Sequence, residues 1–154
     1  MQSLSYRTGI TPRNGIYICV DEVNKGISSG RLYNCYSRDA IPFVSQVQMM
    51  LLMEKFYDSI DYPQATTRGR AMNSRKKSTV MNREAELVRD EQDLKNQVGQ
   101  KASFIVRVNS RQNATWQGSV SWTEKGVTKY FRSALELLKL IDSALLEEEQ
   151  KTGE

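Results

Sequence analysis

Displacing the chain against itself by 88 positions, with no gap, lays residues 16–53 on residues 104–141 with the apolar pattern preserved. Ile16, Ile18 and Val20 fall on Phe104, Val106 and Val108; Gly30 falls on Gly118, Leu32 on Val120, Phe43 on Phe131 and Ser45 on Ser133. Val47, Met49, Met50, Leu52 and Met53 fall on Leu135, Leu137, Leu138, Leu140 and Ile141. A chain that repeats its apolar spacing reuses one supersecondary unit and must bury the same faces twice. The expected architecture is two strand–strand–helix units separated by a long polar linker.

The local signals fill in each unit. Gly15 to Val23 alternates, with Ile16, Ile18 and Val20 on one face and Tyr17, Cys19 and Asp21 on the other, which predicts a strand. Asn24-Lys25-Gly26 and Ser28-Ser29-Gly30 are turn material, and Arg31 to Tyr36 resumes as a second strand. Pro42 and Phe43 are expected to open a helix running to about Ile60, because a proline at the first helical turn forfeits no hydrogen bond. In the second unit, Ser103 to Asn109 and Trp116 to Glu124 alternate as strands, Val127 to Phe131 forms a short third strand, and a helix follows from Ser133 to Leu146. Strict alternation of this kind marks antiparallel strands with one face buried and one wet.

Both helices are apolar over two stripes. Phe131, Leu135, Leu138, Ile141 and Leu145 make one on the second helix, and Leu137, Leu140 and Ala144 make another. On the first, Phe43, Val47, Met50 and Leu51 are joined by Met49, Leu52, Met53, Phe56 and Tyr57. A helix lying on its own sheet needs one stripe, so the second is expected to bury against the other unit's helix. The expected fold is therefore α+β: two ββ(β)α repeats with antiparallel sheets, packed helix to helix around a shared core. A homodimer using the same surfaces is the rival arrangement. The chain divides into a first ββα repeat (1–63), a linker that is basic and then acidic (64–101), a second βββα repeat (102–146) and an acidic tail (147–154).

Charge is concentrated in the linker. The chain carries a formal net charge of +4. Residues 64–83 hold Arg68, Arg70, Arg75, Lys76, Lys77 and Arg83 with no acid, while both repeats are balanced. Residues 64–83, rich in Thr, Ser, Asn and Arg, are expected to be mobile, and residues 84–98, with Leu87 and Leu94 seven apart, to form a short solvated helix. No apolar run reaches the length needed to span a membrane, and the amino-terminal residues lack the charge and apolar core of a secretory signal, so a cytoplasmic location is expected. The two cysteines, Cys19 and Cys35, are too few for a disulfide framework and are expected as buried thiols.

Histidine is absent, which removes the commonest general base, the usual nucleophile partners and the commonest metal ligand. Two cysteines without histidine do not build an ordinary closed zinc site. Gly26-Ile27-Ser28-Ser29-Gly30 lacks the lysine and following helix of a phosphate loop. No cofactor, metal site or catalytic group is expected.

Two features remain that could bind a macromolecule. The cluster Arg68–Lys77, with Arg83, could neutralise phosphates along a nucleic-acid backbone, and Arg107 and Arg111 could orient it. The wet face of the second repeat, with Ile105, Arg107 and Asn109 beside Gln117, Ser119, Ser121 and Thr123, offers a hydrogen-bonding surface. Trp116 and Trp122 fall on the opposite, core-facing side, and their indole N–H groups should seek partners at the sheet edge.

Residues 116–142, with Trp116, Gly118, Val120, Gly126 and Phe131, resemble the AP2 and phage-integrase amino-terminal modules, in which a three-stranded sheet packs on a helix. That resemblance implies DNA read by the exposed sheet face. The opening residues 5–22, Tyr62-Pro63-Gln64 and the blocks 111–122 and 131–145 also resemble a group of small Firmicutes proteins, which implies no activity. The leading expectation is a non-enzymatic binding or adaptor protein that recognises a protein partner through a sheet edge, with turns such as Arg111-Gln112-Asn113 offering main-chain groups. The alternative is a nucleic-acid-binding accessory or regulatory protein.

Overall fold

The computed structural model describes residues 13–64, 87–112 and 115–152. Among these residues it is an α+β fold built on one six-stranded antiparallel sheet with three helices. The strands are β1 (Ile16–Asn24), β2 (Ile27–Tyr33), β3 (Ile41–Phe43), β4 (Ala102–Ser110), β5 (Gln117–Trp122) and β6 (Val127–Phe131). The helices are α1 (Gln46–Ile60), α2 (Glu91–Lys95) and α3 (Ala134–Thr152). The spatial order is β3-β2-β1-β4-β5-β6, so the first strand of each half lies at the centre and the third at an edge.

At the centre, Ile16 pairs with Val106, Ile18 with Phe104 and Tyr17 with Ile105. The halves then run outward in matching register. Val20 faces Gly30 and Gly30 faces Phe43; 88 residues later, Val108 faces Gly118 and Gly118 faces Phe131. The register slips between Val20 and Glu22 in one half and between Val108 and Ser110 in the other. Phe43 and Phe131 are both buried against the common core, with Ile18, Val20, Phe104 and Val106.

Each long helix starts in the same way. The Ser45 hydroxyl accepts from the Gln48 amide at 3.1 Å, and Gln48 Oε1 reaches back to the Val44 amide at 2.7 Å. Ser133 accepts from the Glu136 amide at 3.0 Å, and Glu136 Oε1 reaches the Arg132 amide at 2.8 Å. These reciprocal bonds satisfy donors that a helix start leaves without intrahelical acceptors.

Several expectations are corrected. The helix of the first half does not start at Pro42: Ile41–Phe43 is an edge strand, and the helix begins after Ser45. Proline is tolerated there because an edge strand leaves one row of N–H groups without a ladder partner. The second helix continues past Leu146 to Thr152, taking in much of the expected tail. There are not two separate sheets: one sheet runs through both halves, joined by the β1–β4 ladder, and residues of both long helices enter one core with the strands. Met49, Met53, Tyr57 and Ile60 are buried on α1 and Leu137, Ile141, Ala144 and Leu145 on α3, with Met50, Leu52, Phe56, Leu138 and Leu140 partly buried against the core, while Val47, Leu51 and Leu135 remain exposed.

Among the described residues, the opposite sheet face is covered chiefly over the first half, with Ile105 of β4 packed against the edge of that cover. Residues 87–101 cross it, and α2 drops Leu94, fully buried, among Tyr17, Cys19, Tyr33 and Cys35. The expectation of a solvated helix therefore fails at Leu94. A five-residue helix has no independent stability, whereas burying one leucine contributes about 2 kcal/mol. The segment is fastened by the Val88 and Arg89 amides donating to the Cys35 carbonyl and by the Lys101 amide donating to Val20. Asp21 ties its far end: Arg31 donates to both carboxylate oxygens at 2.8 and 3.0 Å, and the Gln100 amide donates at 3.1 Å. Burial alone would raise the Asp21 pKa, but these donors outweigh it and hold the carboxyl below its ordinary value. Burial pushes the Cys19 thiol up to about 11, and both cysteines are free.

Gly30 and Gly118 occupy equivalent places where backbones meet closely. A Cβ on Gly30 would collide with the Cys19 carbonyl, and one on Gly118 with the Arg107 carbonyl. Gly30→Ala and Gly118→Ala are each expected to destabilise the fold by about 1–3 kcal/mol, measured by urea denaturation. A loss confined to one of the two would show that the halves do not share this constraint.

Candidate functional site

The expected nucleic-acid residues Arg68, Arg70, Arg75, Lys76, Lys77 and Arg83 lie outside the described residues. Arg107 and Arg111 are described, and they do not share a surface.

Arg111 is 2 % exposed. Its guanidinium donates to the Pro63 carbonyl at 2.6 Å, to Asp58 Oδ1 at 2.8 Å, and to Glu54 Oε2 and the Tyr57 carbonyl at 3.3 Å. It also sits over the Tyr57 ring, 5.8 Å from the centroid. The cation thus closes the carboxyl end of α1, which has no basic residue in its own last turn. Trp116 completes the cluster: its indole N–H donates to Glu54 Oε1 at 2.9 Å, and its ring meets Tyr57 edge-on at 5.6 Å. Arg111 is a clamp between the two halves, with no guanidinium face left for a phosphate. The partner that Trp116 was expected to find is Glu54; the Trp122 indole N–H is buried with no acceptor among the described residues.

Arg107 lies where the covering segment ends, 3.4 Å from Glu91 and partly exposed. Beyond it, among the described residues, nothing covers the sheet face. Across β4, β5 and β6, Arg107 pairs with Ser119 and Ser119 with Tyr130, whose side chain is 76 % exposed. Ser121 and Thr128 share a hydroxyl contact of 2.8 Å on the next row. The expectation of a wet polar face over Ser119 and Ser121 agrees with this placement. Tyr130 was not part of that expectation; its parity with Ser119 becomes visible only once the β5–β6 register is known.

The two sheet edges differ. β3 is three residues long with Pro42 at its middle, which blunts it. β6 has five residues, none of them proline, and Val127 through Tyr130 are exposed. Val127 pairs with Trp122 and Lys129 with Val120, so both stand on the helix side of the sheet. There the space between β5, β6 and α3 opens into a cavity of about 260 Å³. Its buried wall is Phe104, Val120 and Ala144, with Trp122 and Leu140 partly buried, and Lys125, Lys129, Ser143 and Glu147 stand exposed around it. Lys125 Nζ lies over the Trp122 ring, 5.5 Å from its centroid.

Among the described residues, no three acidic or thiol groups converge to hold a metal ion, and no helix is long and apolar enough to cross a membrane. Compared with protein-family models, curated proteins and solved structures, the chain finds no match.

Replacing Arg111 with methionine is expected to cost about 2–3 kcal/mol, because Asp58 and Glu54 keep water access while the carbonyls of Tyr57 and Pro63 lose a charged donor. Thermal unfolding of the variant checks this. An unchanged melting temperature would contradict the clamp role.

Proposed function

We propose that the chain is a non-enzymatic binding protein made of two βββα repeats, and that it recognises a protein partner by adding one of the partner's strands to β6. The repeat reading is supported by the shared offset of strand registers, register slips, close-approach glycines and capped helix starts. The free thiols support a reducing, cytoplasmic setting.

The observation that carries the binding reading is the unequal state of the edges. An edge strand presents a row of N–H and C=O groups with no ladder partner, and strand addition satisfies them while alternate side chains supply specificity. β3 offers little of this, and its Pro42 has no N–H to give. β6 offers a full strand beside an apolar cavity. A second copy of the chain is one partner this edge could take, in place of the helix-mediated homodimer that the apolar stripes suggest.

A nucleic-acid reading stands second, favoured by Tyr130. An exposed aromatic in line with Arg107 across an open sheet supplies the stacking surface and cation that single-stranded nucleic acid uses. Salt-sensitive oligonucleotide binding that disappears in Tyr130→Ala would put that reading first.

Selection from a random nonapeptide library against the full chain, followed by amide chemical-shift mapping, tests strand addition. Neighbouring residues of a strand direct their N–H groups to opposite sides. One of Thr128→Pro and Lys129→Pro therefore removes a ladder bond to β5, and the other removes only an outward donor. Selected peptides are expected to shift the amides of β6 and to bind at least about tenfold more weakly to the proline variant that keeps the wild-type melting temperature. Peptides that map elsewhere and bind that variant unchanged, or a selection that yields none, would overturn the reading.

A further inference from the structure

We infer that the cavity beside β6 is a side-chain pocket that selects the strand the edge accepts: one with an apolar side chain and, two residues away on the same face, a carboxylate. The inference rests on the strand-addition reading and names the chemistry of its partner.

The register fixes the geometry. Val127 and Lys129 stand on the helix side, so a strand added to β6 sends every second side chain to that side. One of these side chains meets the cavity, whose wall includes Phe104, Val120, Trp122 and Ala144. At about 260 Å³ the space is large enough to take an apolar side chain from such a strand.

Lys129 supplies the second requirement. It is the middle residue of the edge strand and has no ion pair among the described residues. In the free protein a lysine in this place guards the edge, because an uncharged strand docking beside it would desolvate the ammonium without compensation. A carboxylate on the incoming strand turns that penalty into an ion pair. Lys125 adds positive charge at the turn end of the same opening. The discrimination therefore works against apolar aggregation-prone strands as well as in favour of the acidic partner.

The test is a parallel selection from the random nonapeptide library on wild type, Lys129→Glu and Ser143→Trp. Ser143 is an exposed residue on the lip of the cavity, so an indole there can cover the mouth without entering the core. Wild-type peptides that shift the β6 amides are expected to carry an apolar residue and Asp or Glu two positions apart. Lys129→Glu should select Lys or Arg in place of the acid. Ser143→Trp, at unchanged melting temperature, should weaken the wild-type peptides by about tenfold or more. Peptides that map to β6 without this pair, or that bind both variants as tightly as wild type, would overturn the pocket and leave strand addition standing. Peptides that map away from β6 would overturn both.

Discussion

Ile16, Ile18 and Val20 of β1 and Ala102, Phe104 and Val106 of β4 pair at the centre of the sheet and lie in one buried core. Their antiparallel pairing places Tyr17 against Ile105, each the counterpart of the other at the 88-residue offset, so the line between the halves runs through that pair. Everything else is hung from this ladder. β2 and β5 pair outward from it, β3 and β6 close the edges, and α1 and α3 cover the same face. A sheet continuous across both halves turns two three-stranded units, each too small to bury much apolar surface, into one core. The Arg111 cluster reinforces the joint by fixing the end of α1 to the region where β4 gives way to β5.

The two halves pair their strands at the same 88-residue offset but present different surfaces. At the 88-residue offset, Tyr17, Cys19, Tyr33 and Cys35 become Ile105, Arg107, Ser121 and Thr123. The first set needs cover and receives it from residues 87–101 and Leu94; of the second, Ile105 packs partly buried against the same cluster, while Arg107 and Ser121 are partly exposed and Thr123 is exposed. The same contrast appears at the edges, where Pro42 stands opposite Tyr130 in the alignment. Among the described residues, one half is thus covered on its outer face and blunted at its edge, and the other carries less cover and an edge strand without proline. This asymmetry concentrates the binding readings on β4, β5 and β6.

Much of the sheet could be read from the chain because period-two alternation survives without tertiary information. The central strands and the buried parity of Phe104, Val106 and Val108 follow from it. β3 was hidden because Ile41-Pro42-Phe43 is too short to show a period, and its proline suits a helix start equally well. The Ser45–Gln48 and Ser133–Glu136 spacing marked the true starts. Apolar stripes say how much helix surface could be buried, not how much is: Val47 and Leu51 stay exposed at 68 % and 65 %. Arg111 read as a surface cation, since its carboxylate partners, Glu54 and Asp58, lie more than fifty residues away. The cavity draws on two strands and a helix, so no local pattern announces it.

The most direct measurement is native-state hydrogen exchange over a denaturant series. If the β1–β4 ladder holds the halves together, its amides should be the slowest to exchange and should open only with global unfolding, while those of β3 and β6 open at lower free energy. If β1 and β4 amides exchange before those of β2 or β5, the halves separate while each stays folded, and the ladder is not what the fold depends on.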